Sequence, residues 1–461
     1  MTEGIGRELF HVALDARCEG APCITVSRPL ETTVDEHRDV IDEEIGTGLR
    51  VRMPTAVWTD GTSTLPHAVT SPPPPFMPGE FAARIATAMD VWLVLRWFYP
   101  YSEDVALHWD AEFPSLMQNA ARARTADALE HVIQELVAKL RDGHAFVNRF
   151  TIDGTWPFMT RRLGQELVVL KSLAGYDKIL PRGSTITAVD GLPIAEVLAR
   201  VRPYVSSPTE ANLDYALGQF LSYGRTGELV RVSVRTDATN AGTREVVVPR
   251  LYATVIEELH EDKPTQGEQL APGVFYVDLS TLSQGKLDEL LPVLVNAKAV
   301  ICDVRGLVPH AAWRLVTHLL SHTIDSPRLY TPVVTPAGIR HYEDDTWSVA
   351  AKLPHISARA IFLADGRSIS QDETLLQMVK STHLGTIVGE PSAGTNGNMV
   401  IYNTMGRMKI LFTGMRVLNA DGTLLHGHGI VPDVIQHPTV AGIASGRDEI
   451  LDAATRIASG L

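Results

Sequence analysis

Apolar positions in the second half of the chain fall into short unbroken runs separated by amphipathic stretches. Val274–Asp278, Ala299–Val304 and Ala360–Ala364 read as strands, and Leu287–Asn296, Ala311–Leu320 and Gln371–Lys380 as the helices between them. Continuous apolar strands alternating with helices predict a sheet covered on both faces. From about residue 155 to 250 the period changes. Leu167–Leu170, Ser184–Val189 and Val230–Val234 are short strands, with a turn at Asp190-Gly191 and a helix at Ile194–Val201. Upstream, Leu129, Val132, Ile133, Leu136, Val137 and Leu140 recur at helical spacing and make one apolar face of a helix Ala126–Leu140. Thr125 suits its N-cap and Gly143 its stop.

These patterns predict an α/β protein in five segments. Residues 1–70 are strand-rich and irregular, with runs at Leu49–Met53 and Ala56–Trp58. A proline-rich linker covers 71–79, including Pro72 to Pro75. A helical segment covers 80–150, a small β domain 151–255, and a sheet-and-helix domain 265–461. The aromatic run Trp92 to Tyr101 reads as core packing.

The full length of 461 residues agrees with several folding units. An apolar fraction of 45% with 21% charged residues is globular, not disordered. The formal net charge of −13 argues against nucleic acid or anionic membrane as a partner. Three cysteines, Cys18, Cys23 and Cys302, are too few for a disulfide scaffold, and free thiols suit a reducing compartment. The first 14 residues lack a signal-like apolar run, and no stretch is long enough to span a membrane. The expected location is cytoplasmic, or secreted if the true start lies upstream.

Candidate chemistry centres on Ser370, at the junction of a predicted strand and a predicted helix. Two readings apply. Ser370 with Glu373 is a capping box. Alternatively, a serine at a tight strand-to-helix turn is a nucleophile, with the Gln371 backbone N–H and the helix dipole behind a developing oxyanion. A serine nucleophile needs a base. Of the 16 histidines, His144 is the best placed, on the loop after Leu140-Arg141-Asp142-Gly143. Asp142 is a candidate to orient it. His318 and His322 have the i, i+4 spacing of a metal pair but lack the glutamate of His-Glu-x-x-His, and His426-Gly427-His428 is similarly weak. No metal and no cofactor are expected.

The order of motifs adds to this. The series runs from Leu140 to His144, then Ile186 to Gly191, Ile301 to Gly306, Ser370 to Glu373, Ile387 to Glu390, Gly429 to Asp433 and Gly446 to Leu451. Over roughly residues 85–461 it resembles the tail-specific, or C-terminal-processing, serine peptidase family, its tricorn-core branch more closely. The resemblance implies a PDZ-like domain at Ile186–Gly191, with Ser370 as nucleophile. One branch of that family uses a lysine about 25 residues after the serine. Here Gly394-Thr395-Asn396 stands at that place, and Lys380 does not match, so the resemblance implies His144 as base. At the positions where the tricorn-like branch carries a serine and a glutamate that orient the base, this chain has Gly143 and His426. In its oxyanion loop, Asp303 to His310, Pro309 has no N–H to donate, which leaves the His310 backbone as the second donor.

The expected function is a serine peptidase acting on peptides or unfolded proteins, with the carboxyl end held by strand addition to the small β domain. A homo-oligomer is left open. A catalytically impaired peptide-binding member and an acyl or ester hydrolase of a biosynthetic pathway are the other readings.

Overall fold

The computed structural model describes residues 80–461 except 106–107, 149–152, 237–241, 307, 309–311, 335–339, 405–407 and 461. Within residues 1–79 only backbone strands are described, among them Val40–Gly46 paired antiparallel with Leu49–Pro54. The proline linker, Cys18, Cys23 and His310 lie outside the described residues.

The chain divides into two compact units. The first takes residues 1–133, 330–344 and 399–416. Its described part is a helix pair, Phe81–Phe98 and Trp109–Arg122, with two antiparallel hairpins. Tyr99 and Tyr101 are fully buried, and Trp92 packs on Phe113 with ring centroids 4.8 Å apart. The aromatic run is therefore core.

The second unit takes residues 134–329, 345–398 and 417–461. At its centre is a sheet in the order Gln269–Ala271, Val274–Asp278, Ala299–Asp303, Arg359–Ala364, Thr386–Gly389, Val434–Ile435. It is parallel except for the first pair. Side chains alternate between two cores. Val300, Cys302, Ala360, Phe362 and Ile387 face the helices Gln284–Leu294, Ala312–Leu319 and Gln371–Thr382. Tyr276, Ile301, Ile361, Leu363 and Val388 face the terminal helix Glu449–Ser459. That explains the unbroken apolar runs: both faces are covered.

The same unit carries the small β domain. Its sheet runs Phe158–Leu163, Glu166–Ser172, Thr185–Val189, Leu229–Arg235, Arg244–Pro249, all antiparallel. Asp190 and Gly191 take positive φ (49° and 80°), as a tight hairpin turn requires. The helix Glu210–Ser222, capped by Thr209, packs closely on the first strand. A Cβ on Gly218 would lie 2.7 Å from the Thr160 carbonyl oxygen. Arg162 also pairs with Asp214 and Glu210 across this seam at 2.7 and 2.5 Å. The edge strand Phe158–Leu163 is thus closely covered by this helix, while Arg244–Pro249 forms the other edge of the sheet.

The helix beginning at Ala126 ends at Ala138, not Leu140, and Thr125 Oγ1 caps it by accepting the Ala128 N–H at 3.1 Å. Arg141, not Gly143, takes the positive φ (50°) that redirects the chain.

Candidate active site

The strand Arg359–Ala364 ends at the carboxyl edge of the sheet, and a short loop leads to the helix Gln371–Thr382. The loop is held from within. Asp365 accepts from the Arg367 guanidinium at 2.7 Å, and Ser368 donates to the Val304 carbonyl at 3.0 Å. Ser370 sits at the turn with φ 63° and ψ −119°, a conformation that costs a non-glycine residue free energy. Its side chain makes no capping hydrogen bond. The capping-box reading therefore fails at the serine: its hydroxyl is not engaged by the helix it precedes. Gln371 contributes the first N–H of that helix, pointing out of its positive end.

Asp372 and Glu373 open the helix, and both are fully buried. Asp372 accepts the Val308 N–H at 2.8 Å and the Ile369 N–H at 3.3 Å, which ties the Asp303–Val308 loop to the nucleophile turn. Glu373 accepts the Gly394 and Thr395 N–H groups, each at 2.7 Å, and the Ser392 hydroxyl. Burial pushes both carboxyls up to about 8, against the pull of these donors.

Thr395 is the hub. Its N–H goes to Glu373, its carbonyl accepts the Ser370 N–H at 2.8 Å, and its Oγ1 accepts the Gly143 N–H at 2.8 Å. One buried threonine thus holds both the nucleophile turn and the residue before His144. The two loops also touch directly, since a Cβ on Gly143 would lie 2.7 Å from Ile369 Cδ1. Glycine at 143 reflects this close approach, not a helix stop.

His144 is 9% exposed. Burial lowers its pKa, and the charge of Asp142 partly opposes that. Asp142, itself fully buried, accepts the His144 backbone N–H at 2.9 Å, and its own N–H donates to Ser206 Oγ at 2.9 Å. His426 is buried in the turn that follows Leu425, and the next residue, Gly427, donates to the Gly394 carbonyl at 3.0 Å. That turn therefore rests on the loop carrying Thr395.

Other charged residues of the motifs serve the frame. Glu390 accepts from Arg161 of the small domain at 2.7 Å and from His437 at 2.8 Å. Asp303 accepts from Arg305 and from the Tyr276 hydroxyl at 2.8 Å. Burial would raise its pKa, but Arg305 and Lys263 outweigh that and hold it well below the usual range. Arg305 also grips Asp448, the N-cap of the terminal helix. Lys380 donates to Val431 O and Asp433. His318 is engaged with the Pro354 carbonyl at 2.8 Å, and among the described residues no group of three or more potential ligands could hold a metal.

Sequence reasoning missed Asp372 and the positive role of Thr395. Acidic residues at a helix start look like ordinary dipole partners, and Thr395 drew notice only as the place of an absent lysine.

Residues 273–436 match the model of peptidase family S41. No curated protein matches the chain significantly. Among solved structures, mature CPAF complexed with lactacystin is similar at a TM-score of 0.64 and 13% identity, over 81% of this chain and 98% of that one. A second crystal structure of mature CPAF gives 0.62 at 13% identity, over 81% and 96%. The photosystem II D1 C-terminal processing protease is 17% identical over 80% of this chain and 98% of that one, at 0.47. At these identities the structural likeness is one of fold; the family match falls on the segment that carries the sheet, Ser370 and Thr395. That segment, residues 273–436, is thus similar to peptidase family S41, and the structural likeness around it is one of fold.

Proposed function

We propose that the chain cleaves peptides or unfolded proteins through a Ser370–His144 pair of the tricorn-like kind. Neutral His144 takes the Ser370 proton as Oγ attacks the substrate carbonyl. The Gln371 N–H stabilises the oxyanion. The imidazolium, favoured by the nearby Asp142 charge, then protonates the leaving amine. Water repeats the sequence on the acyl-enzyme, with His144 again as base. The small β domain is PDZ-like in this reading and acts as a rigid support, because Arg161 joins it to Glu390.

The observation that carries the reading is the strained Ser370 with an uncapped side chain, on a turn held by the same threonine that holds the base loop. The test is hydrolysis of an unstructured peptide by wild type, Ser370→Ala and His144→Ala. Both variants should fall by roughly 10⁴-fold or more. Activity retained in either would remove it from the pair.

One observation favours a second reading, a slow or binding-only member. The Val308 N–H, on the loop expected to supply the second oxyanion donor, is already taken by Asp372. Peptide binding without turnover in wild type would support it.

A further inference from the structure

A cavity of about 450 Å³ opens beside the base-histidine loop, within the ~300–1,000 Å³ range of ligand sites. Gly143 and Ala145, the neighbours of His144, form one wall, and the helix Glu210–Ser222 of the small domain forms another. Among the described residues, no Asp, Glu, Lys, Arg or His lines it. That is unusual in a chain whose other main cavity is lined by several arginines and carboxylates.

The lining is largely aromatic: Phe146, Tyr204, Phe220 and Tyr223. Tyr204 and Phe220 stack nearly parallel, with ring centroids 6.5 Å apart. The polar side chains at the cavity are engaged with the protein. Gln134 donates to the Tyr204 carbonyl at 2.6 Å and accepts the Val147 N–H at 2.8 Å. Gln219 donates to the Tyr223 hydroxyl at 2.8 Å, and Ser206 accepts the Asp142 N–H at 2.9 Å. Burial raises the Tyr223 pKa, so its phenol stays neutral. A charged group entering here would lose water and find no counter-charge, whereas an apolar ring would meet aromatic walls.

The edge strand Phe158–Leu163 of the small domain is closely covered by the Glu210–Ser222 helix. That helix also walls this cavity, whose lining includes Gly143 and Ala145, the residues on either side of His144. We propose that the cavity is a specificity pocket for one large uncharged apolar side chain, aromatic or leucine-like, close to the scissile bond. This deepens the Ser370–His144 reading, on which its role in cleavage rests. The consequence is selection of an internal apolar residue, not of a terminal carboxylate.

The test uses the full chain carrying Ser370→Ala, so that binding is measured without turnover. The probes are unstructured peptides that differ at one central position: Phe, Leu, Ala, Lys or Glu. The Phe and Leu peptides should bind roughly 10–100-fold tighter than the Lys and Glu peptides. Amidating the peptide carboxyl end should change nothing. Adding Ala216→Trp, which fills the cavity from the helix side, should bring Phe and Leu down to the level of Ala. Because so large a side chain could disturb packing, Phe146→Ala gives a second variant at a residue that is 44% exposed. It should narrow the same preference with no loss of melting temperature. Equal binding of all five peptides would overturn the pocket, as would a preference for charge or a preference that survives both substitutions. Fluorophosphonate labelling of wild type separates the two claims. No labelling with intact apolar preference would leave the pocket standing and sink the Ser–His reading; labelling without preference would do the reverse.

Discussion

Replacing Thr395 with valine removes one acceptor and almost nothing else. Valine matches threonine in shape, and the site is fully buried, so packing is retained. The backbone bonds of residue 395 to Glu373 and Ser370 also remain. What is lost is the Oγ1 that receives the Gly143 N–H at 2.8 Å. A donor left without a partner in a buried site costs ~1–3 kcal/mol, and Gly143 is only partly buried, so a loss of about 1–2 kcal/mol is expected. The effect on rate should be larger than that suggests. The nucleophile turn stays fixed while the base loop is released, and a misplacement of ~1 Å can cost ~100-fold. Thr395→Val should therefore lower kcat/KM by roughly 10–100-fold, with KM little changed, and Thr395→Ser should recover most of it. The assay is steady-state hydrolysis at matched folded fraction, with the melting temperature recorded. A valine variant that loses stability but keeps wild-type kcat/KM would refute the reasoning, as would a serine variant no better than valine.

Ser370→Ala should abolish hydrolysis without the ~1 kcal/mol loss of a removed N-cap, because no cap bond exists. Ser370→Gly should be more stable than Ser370→Ala by about 1 kcal/mol, since glycine accepts φ 63° without strain; chemical denaturation of both checks this. Burial lowers the His144 pKa, so the acid limb of kcat/KM should lie below pH 6.5, and Asp142→Asn should move it lower still by removing an opposing charge; a limb above 6.5 would contradict the burial argument. Glu373 is raised from 4.5 to about 8. Its folded state thus holds a proton that the unfolded state releases, and the stability it contributes is complete below about 4.5 and lost as pH rises through about 8. Melting curves from pH 5 to 9 should show wild type losing stability relative to Glu373→Gln; parallel curves would mean that Glu373 is already ionised at the low end.

The middle of the central sheet was legible because Val274–Asp278, Ala299–Asp303 and Arg359–Ala364 are apolar on both faces, whereas Gln269–Ala271, Thr386–Gly389 and Val434–Ile435 were not read as strands. Helix ends also moved: Ala126–Ala138 stops short of Leu140, and Gln371–Thr382 runs beyond Lys380. Ser370 was found but its role was not decided, because a cap and a nucleophile occupy the same place in the chain. The backbone angles and the uncapped side chain separate them, and neither is written in the local sequence. Gly143 was read as a helix stop because its reason for being glycine, the contact with Ile369, lies more than two hundred positions away. Thr395 was hidden in the same way: its hydroxyl bonds Gly143, 252 positions away. The closed seam at Gly218 likewise depends on a long-range approach that composition does not report.

The most direct test of the account is the site and rate of fluorophosphonate labelling, read by peptide mass mapping in wild type, His144→Ala and Thr395→Val. The account predicts a single adduct on Ser370, formed fast in wild type, very slowly without His144, and at an intermediate rate with valine at 395. An adduct on another serine, or one on Ser370 formed equally fast without His144, would contradict it.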